Sequence, residues 1–226
     1  RAAILMGGHR ADLALWFDLE SFQWVSSEYY LSSKTLPPWV SDINIKMKKM
    51  AGQEQTWEKE IDRTPNQNKN VIDSKTTADM GKMFPHKARI GGVSSLLFPI
   101  AVDMPVDMAI KAIEELKLGQ TKSTDVLAIS FSNHDYVGHN FGPESDEIKE
   151  TTVHEDKTIS RLINFLDKKI PGGLKNTWIV LTADHGVSGN PRELMANKIP
   201  AGVVDQESIN NEIENFLVKK YGKASD

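Results

Sequence analysis

The strongest constraint on the fold is a strand–helix–strand pattern in the second half of the 226-residue chain. Two uninterrupted apolar runs, Asp125–Phe131 ("DVLAISF") and Thr177–Ala183 ("TWIVLTA"), have the length and composition of strands buried on both faces. Between them, residues 145–170 repeat apolar side chains along one helix face: Ile159, Leu162, Ile163, Leu166 and Ile170. Because such a crossover makes its two strands parallel, the pattern predicts an α/β fold with a mainly parallel sheet and helices on both faces.

The first half of the chain predicts smaller elements. Ala2–Gly8 ("AAILMGG") is a short apolar run closed by two glycines, which is typical of a buried strand. The aromatic-rich stretch Ala14–Tyr30 predicts a hairpin, and Thr35–Met50 predicts an amphipathic helix that starts at prolines. Residues 51–92 have the least regular pattern, and the polar stretch Arg63–Asn70 indicates a loop at the edge of a small subdomain.

Two more helices are predicted from start and stop signals. Pro105–Gly119 has a proline at its start, apolar residues at helical spacing and a closing glycine. Near the C-terminus, Ser208 is a candidate N-cap for a last helix. The apolar residues of that helix are Ile209, Ile213, Phe216 and Leu217.

Composition excludes several classes of function. The net charge is −4 and the isoelectric point about 5.9, with no basic stripe that would favour nucleic acid. No apolar run is long enough for a membrane span. Cysteine is absent, which removes disulfides, thiolate ligands and a cysteine nucleophile. The chain also contains no G-x-S-x-G elbow, P-loop or G-x-G-x-x-G motif.

Aspartate and histidine follow both predicted strands of the second half. Asp135 and His139 come after the first strand, and Asp184 and His185 directly follow the second. The carboxyl ends of parallel strands meet at one edge of a sheet, where ligands bind, and Asp with neutral His suits zinc. Asp184 and His185 serve one site only if the chain bends there, which Gly186 permits. Each pair alone is also typical of turn hydrogen bonding; the joint occurrence favours a metal site.

The other four histidines have no comparable pattern around them. His9 and His86 lie in loop-like stretches, and His154 lies on the long helix, where it is either exposed or packed. His134 directly precedes Asp135 and is a candidate for a residue that orients a metal ligand.

The quoted motifs carry a family resemblance. "DVLAISFSNHDYVGHNFGPES", followed by the long helix and then "IVLTADHGV", resembles the type I phosphodiesterase/nucleotide pyrophosphatase branch of the alkaline phosphatase superfamily. The front of the chain, "RAAILMGGHRADLALWFD", is similar to the bacterial phosphate-irrepressible alkaline phosphatases of that branch. The resemblance implies an alkaline phosphatase-like core, here incomplete, with a small inserted cap at approximately residues 30–95. The whole chain, residues 1–226, is then one fragment of a catalytic domain.

The resemblance also implies a site with two Zn²⁺ ions. Asp135 and His139 would bind one zinc together with a histidine that family members carry near their C-terminus. Asp184 and His185 would bind the other, together with an aspartate and a nucleophilic threonine or serine from near the N-terminus. Arg1 falls where relatives that cleave monoesters carry the arginine of a Lys-x-Arg pair, and it is a candidate phosphate contact.

The remaining family residues have no match within residues 1–226, so we expect an internal fragment that binds zinc weakly and has negligible activity by itself. The expected function is zinc-dependent hydrolysis of small-molecule phosphate monoesters through a phospho-enzyme on an upstream hydroxyl. Two alternatives remain open: a phosphodiesterase or nucleotide pyrophosphatase, and a non-catalytic binding domain or pseudoenzyme. The resemblance places the protein in the periplasm or outside the cell. The sequence does not specify the oligomeric state.

Overall fold

The computed structural model describes residues 6–61 and 83–223. Contacts between Cα atoms divide the chain into two units, Arg1–Val187 and Ser188–Asp226. The regular elements in chain order are β1 (Trp16–Asp18), β2 (Gln23–Val25), α1 (Pro38–Met50), β3 (Glu54–Trp57), β4 (His86–Arg89), α2 (Ile100–Glu115), α3 (Asn133–Phe141), α4 (Asp146–Lys169), α5 (Pro191–Ala196) and α6 (Gln206–Tyr221).

The hairpin predicted in Ala14–Tyr30 is confirmed. Strands β1 and β2 pair antiparallel, with Trp16 opposite Val25. Helix α1 also agrees with its prediction, since a proline occupies its first turn, where a missing N–H costs no hydrogen bond. Asn44 of this helix ties the two elements together: its side-chain oxygen accepts from the backbone N–H of Trp24 at 2.8 Å, and its amide nitrogen donates to the carbonyl of Trp24 at 2.9 Å.

A second hairpin lies within the region where the small cap was expected. Strands β3 and β4 pair antiparallel, with Trp57 opposite His86. The hairpin is fastened to helix α4, because His86 Nε2 lies 3.0 Å from Glu147 Oε1 with both side chains fully buried. The predicted loop Arg63–Asn70 lies outside the described residues, as do Arg1 and most of the strand predicted over Ala2–Gly8. Gly8 itself begins a 3₁₀ turn rather than continuing a strand.

Helices α2, α3 and α4 pack together in the middle of the first unit. The long helix agrees with its prediction and is capped by Ser145, whose side chain accepts from the N–H of Ile148. The predicted helix Pro105–Gly119 needed correction, because it begins at Ile100 and ends at Glu115 with Pro105 inside. Pro105 is the sixth residue of this helix and lies in its second turn, where it has no N–H to donate to the carbonyl of Ala101.

The hydrophobic core that supports α3 comes from separate parts of the chain. Val137 and Phe141 on the buried face of α3 pack with Trp57, Leu97 and Phe98. These five side chains are almost fully excluded from solvent. The second hairpin, helix α3 and the 3₁₀ turn Val93–Leu97 before α2 therefore share one core. This packing determines which face of α3 is exposed.

The mainly parallel sheet with helices on both faces is not seen in the part of the chain that the structure describes. There, the sheets are the two short antiparallel hairpins, and neither Asp125–Phe131 nor Thr177–Ala183 pairs with a strand. The apolar side chains of Thr177–Ala183 lie largely in solvent, with Trp178 95% and Val180 86% exposed, whereas among the apolar side chains of Asp125–Phe131 only Val126 and Leu127 are exposed. A run that is apolar on both faces needs strands at its edges, and neither run has one among the described residues.

The second unit contains α5 and α6. The predicted cap Ser208 was wrong by three residues: Asp205 caps α6, and its carboxylate accepts from the N–H groups of Glu207 and Ser208, each at 3.2 Å. The predicted apolar face of α6 exists as a stripe, but its members are exposed: Ile209, Ile213, Phe216 and Leu217. No helix among the described residues is long and apolar enough to cross a membrane.

Candidate metal centre

Helix α3 carries the first Asp/His motif on its outward face. Val137 and Phe141, four residues apart, lie in the core, so Asp135 and His139, also four residues apart, point away from it. Residues at this spacing are neighbours on a helix surface. His139 Nε2 lies 3.4 Å from Asp135 Oδ1, as the spacing predicted.

The second motif lies at a bend in the chain at Asp184. The backbone N–H of His185 donates to Asp184 Oδ1 at 3.1 Å, and the ring Nδ1–H of His185 donates to the carbonyl of Gly186 at 2.9 Å. The bend that the sequence required for these adjacent side chains to serve one site is therefore present. Because Nδ1 donates, Nε2 is the nitrogen that carries the lone pair in the neutral ring.

The two motifs meet at the carboxylate of Asp135. His185 Nε2 lies 3.6 Å from Asp135 Oδ1 and 3.6 Å from Asp184 Oδ2. The structure thus brings together Asp135, His139, Asp184 and His185, the four predicted ligands, although no strand pairing joins the segments that precede them. Arg1, the fifth candidate site residue, lies outside the described residues.

The charge around His185 favours a cation. The hydrogen bond to the Gly186 carbonyl, followed by the carboxylates of Asp184 and Asp135, raises the pKa of His185 above its ordinary value. Two carboxylates facing the lone pair of one imidazole repel it unless a positive charge lies between them, either a proton or a metal ion.

The Asp and His side chains of each motif lie at a separation that suits two ligands of one zinc ion. Two ligands bound at about 2.0–2.1 Å to one tetrahedral ion lie about 3.3 Å apart, close to the separations of 3.4 Å within the Asp135–His139 pair and 3.6 Å within the Asp184–His185 pair. No group of three His, Cys, Asp or Glu side chains within the described residues is arranged to share one ion. The four side chains are between 41% and 84% exposed, so the centre is open to solvent. The residues fit two adjacent partial sites better than one closed site.

A hydrogen bond to helix α4 lies directly beside these ligands. His134 Nδ1 lies 2.7 Å from Glu155 Oε2, and this hydrogen bond raises the pKa of His134. The sequence pointed to His134 by its position but gave no sign of Glu155, which is one of several charged residues on the long helix. Only the packing of α3 on α4 reveals that Glu155 faces the metal motif.

The remaining histidines lie away from the centre. His9 is exposed and its Nδ1 lies 3.2 Å from the hydroxyl of Tyr29. His86, expected in a loop, is instead buried on β4 against Glu147. His154 is packed rather than free, since its Nε2 lies 3.1 Å from Asp103 Oδ2 on helix α2.

A sequence model of one family covers nearly the whole chain. The family described as "Type I phosphodiesterase / nucleotide pyrophosphatase" matches residues 3–217, a range that includes both Asp/His motifs. The chain belongs to this family. The resemblance deduced from the motifs is thereby confirmed.

Several proteins with curated names are similar along most of the chain. The alkaline phosphatase PhoV of Synechococcus elongatus is 35% identical over 89% of this chain. The alkaline phosphatase PafA of Elizabethkingia meningoseptica is 32% identical over 98% of it. A protein of Myroides odoratus named "Calcium-transporting ATPase" is 32% identical over 99% of it.

These matches cover only part of each relative. The aligned region is 37% of the Synechococcus protein, 41% of the Elizabethkingia protein and 42% of the Myroides protein. The chain therefore spans about two fifths of the length of these relatives. The similarity to alkaline phosphatases assigns it to phosphoric ester hydrolases as a family, whereas the activity of a whole protein requires a separate argument.

Proposed function

We propose that this chain supplies metal ligands to the active site of a zinc-dependent hydrolase of phosphate monoesters. The observation that carries the proposal is the position of Asp135 Oδ1, 3.4 Å from Nε2 of His139 and 3.6 Å from Nε2 of His185. A carboxylate that lies between two imidazoles and is open to solvent suits a catalytic centre with adjacent ions better than a closed structural site.

In this proposal Asp135 and His139 hold one zinc ion, and Asp184 and His185 hold its neighbour. A pair of bound zinc ions would supply Lewis-acid stabilisation to the oxygens of a phosphoryl group in transfer. The attacking hydroxyl is not assigned to any residue of 1–226. The small-molecule substrate is a phosphate ester.

The chain's own residues prepare the donors in three ways. The Nδ1–H bond from His185 to the Gly186 carbonyl keeps its lone pair on Nε2, on the side of Asp135. The buried side chains of Val137 and Phe141 hold α3 so that Asp135 and His139 face outwards. The exposure of all four donors leaves room for an ester to approach.

The names of two relatives support monoesters, because both are alkaline phosphatases. The family description supports the alternative, a phosphodiesterase or nucleotide pyrophosphatase on the same ligands. The name of the Myroides relative adds a nucleoside triphosphate to the compounds worth testing. A non-catalytic binding role is the remaining alternative.

The experiment uses the polypeptide as its gene encodes it, with p-nitrophenyl phosphate, bis-p-nitrophenyl phosphate and ATP as substrates. We expect zinc-dependent turnover that favours the monoester, is removed by a chelator and returns with zinc. Faster turnover of the diester would replace the proposal with the phosphodiesterase alternative. No turnover of any of the three, with zinc still bound, would favour the binding role.

We also propose that Asp125–Phe131 and Thr177–Ala183 enter a parallel sheet in the whole protein, and that residues 30–95 form its cap. The exposed apolar side chains of Thr177–Ala183, together with Val126 and Leu127, support the first point, since a soluble protein seldom leaves such side chains uncovered. Slow hydrogen exchange of both runs in the whole protein would test it. Periplasmic or extracellular location is proposed from the resemblance, and cell fractionation tests it.

A further inference from the structure

The hydrogen bond between His134 and Glu155 joins the ligand-bearing helix α3 to the long helix α4. His134 Nδ1 and Glu155 Oε2 are 2.7 Å apart, and the Glu155 side chain is only 15% exposed. Because a carboxylate can only accept, His134 Nδ1 is the donor, and the bond is of the strong, charge-assisted kind. Its position in the chain matters, since the next residue is the metal-ligand candidate Asp135.

The apolar contacts of α3 fix which face of the helix is buried, but they oppose small rotations about the helix axis less steeply than a hydrogen bond does. The helix has nine residues, and its buried face is held by the apolar side chains Val137 and Phe141. Apolar contact is non-directional, whereas a hydrogen bond weakens steeply as its angle departs from the optimum. The bond from His134 therefore opposes rotation directly at the end of α3 where Asp135 lies.

Small rotations are sufficient to spoil a metal site. Side-chain tips lie roughly 5–6 Å from the axis of an α-helix, so a rotation of about 10° moves them by about 1 Å. Metal–ligand distances tolerate only about 0.2 Å. A loss of rotational restraint that leaves the hydrophobic core intact can thus still weaken metal binding at Asp135 and His139.

We propose that His134 and Glu155 form a positioning pair that fixes the rotation of α3 and so sets the donor atoms of Asp135 and His139 for zinc. The pair touches neither metal nor substrate; it acts through the helix. The inference rests on the proposed function, because it assigns the pair a role in binding the zinc that the function requires.

The chain offers a matched control on the same long helix. His154 Nε2 lies 3.1 Å from Asp103 Oδ2, which is also a partly exposed histidine–carboxylate contact. This contact joins α4 to α2 and does not reach α3. Breaking it should cost stability in the same way, while leaving the rotation of α3 unchanged.

The experiment compares His134→Ala, Glu155→Ala, Glu155→Gln and His154→Ala in the polypeptide as its gene encodes it. Zinc affinity is measured by competition with a chromophoric chelator, and the visible spectrum of the Co²⁺-loaded protein reports ligand geometry. Urea unfolding of each variant gives stability separately. Glu155→Gln retains a hydrogen-bond acceptor for His134 and serves as the conservative rescue.

We expect His134→Ala and Glu155→Ala each to weaken zinc binding by about 10-fold or more and to alter the Co²⁺ spectrum. The double variant should lose no more than either single variant, because both break one bond. Glu155→Gln should stay near the wild type, and His154→Ala should lose stability without losing zinc affinity. If His134→Ala does not fold, the two Glu155 variants decide the matter.

Two results would overturn the inference, and they are distinguishable. If the wild type binds zinc but His134→Ala and Glu155→Ala bind it equally well, or if His154→Ala weakens zinc as much, the pair has only a structural role and the proposed function stands. If the wild type binds no zinc, the proposed function fails and the positioning role fails with it.

Discussion

Nε2 of His185 lies 3.6 Å from Oδ1 of Asp135, although the two residues belong to different motifs. The same oxygen lies 3.4 Å from Nε2 of His139. Asp135 therefore lies between the two histidines that we propose as ligands of separate zinc ions. Substitution of this carboxylate should weaken the binding of both ions. This expectation distinguishes Asp135 from the other three candidate ligands.

The first prediction concerns that shared position. Asp135→Ala should reduce bound zinc at both partial sites and lower phosphatase activity by at least about 100-fold. Loss of a residue that only orients a metal ligand already costs up to about 100-fold, and loss of a ligand should cost more. Metal analysis after dialysis and steady-state kinetics measure the two effects. Asp156→Ala is the control, because Asp156 is an exposed aspartate on α4 next to Glu155. Equal zinc content in both variants would contradict a role for Asp135 as a ligand.

The buried pair of His86 and Glu147 gives the second prediction. Both side chains are fully buried, with Nε2 and Oε1 3.0 Å apart, and they hold the second hairpin against α4. Glu147→Ala should lower the free energy of unfolding by about 1–3 kcal/mol, because it leaves a polar imidazole buried without this partner. Glu147→Gln should cost less, since it retains an acceptor.

The control for this pair is an ion pair on the surface. Lys111 and Glu115 lie 2.6 Å apart on α2, but each side chain is 40% exposed. Glu115→Ala should therefore cost much less than Glu147→Ala. Urea unfolding of the three variants measures the difference, and equal losses from Glu115→Ala and Glu147→Ala would be inconsistent with burial as the cause.

The sequence predicted those features that depend on local pattern. The long helix α4 follows from its apolar spacing, and the contact of Asp135 with His139 follows from a separation of four residues on a helix. The hairpin of β1 and β2 follows from its aromatic-rich strands. In each case the residues that decide the structure are near one another in the chain.

The features that failed depend on partners elsewhere in the chain. Asp125–Phe131 has the composition of a buried strand, but a strand forms only with hydrogen-bonding neighbours, and none lies within the described residues. The roles of Glu155 and His86 can be recognised only from the packing, which places Glu155 against His134 and His86 against Glu147. Ser208 and Asp205 are both good caps, and the choice depends on where the backbone enters α6.

The third prediction concerns the cap of the long helix. The Ser145 side chain accepts from the N–H of Ile148 at 3.2 Å and is almost fully buried. Ser145→Ala should lower the free energy of unfolding by about 1 kcal/mol. Ser160→Ala, at an exposed position within the same helix, should be neutral or slightly stabilising, since alanine has the higher helix propensity. Equal effects of the two changes in urea unfolding would rule out capping as the role of Ser145.

The last prediction concerns the pH dependence of stability, to which Asp146 contributes. A hydrogen bond from Lys59 Nζ at 2.7 Å, with a second from Lys149, lowers the pKa of Asp146 below 3.8, against the opposing effect of partial burial. Because the folded pKa lies below the unfolded one, the stabilisation is complete well above pH 3.8 and is lost as the pH falls through that value and below. Asp146→Asn should therefore flatten the fall in unfolding free energy between about pH 5 and pH 3. Lys59→Met should flatten it as well, because it removes the main cause of the shift. Urea unfolding at a series of pH values measures how the unfolding free energy falls in acid. If it falls as steeply in both variants as in the wild type, this ion pair is not the cause of the fall.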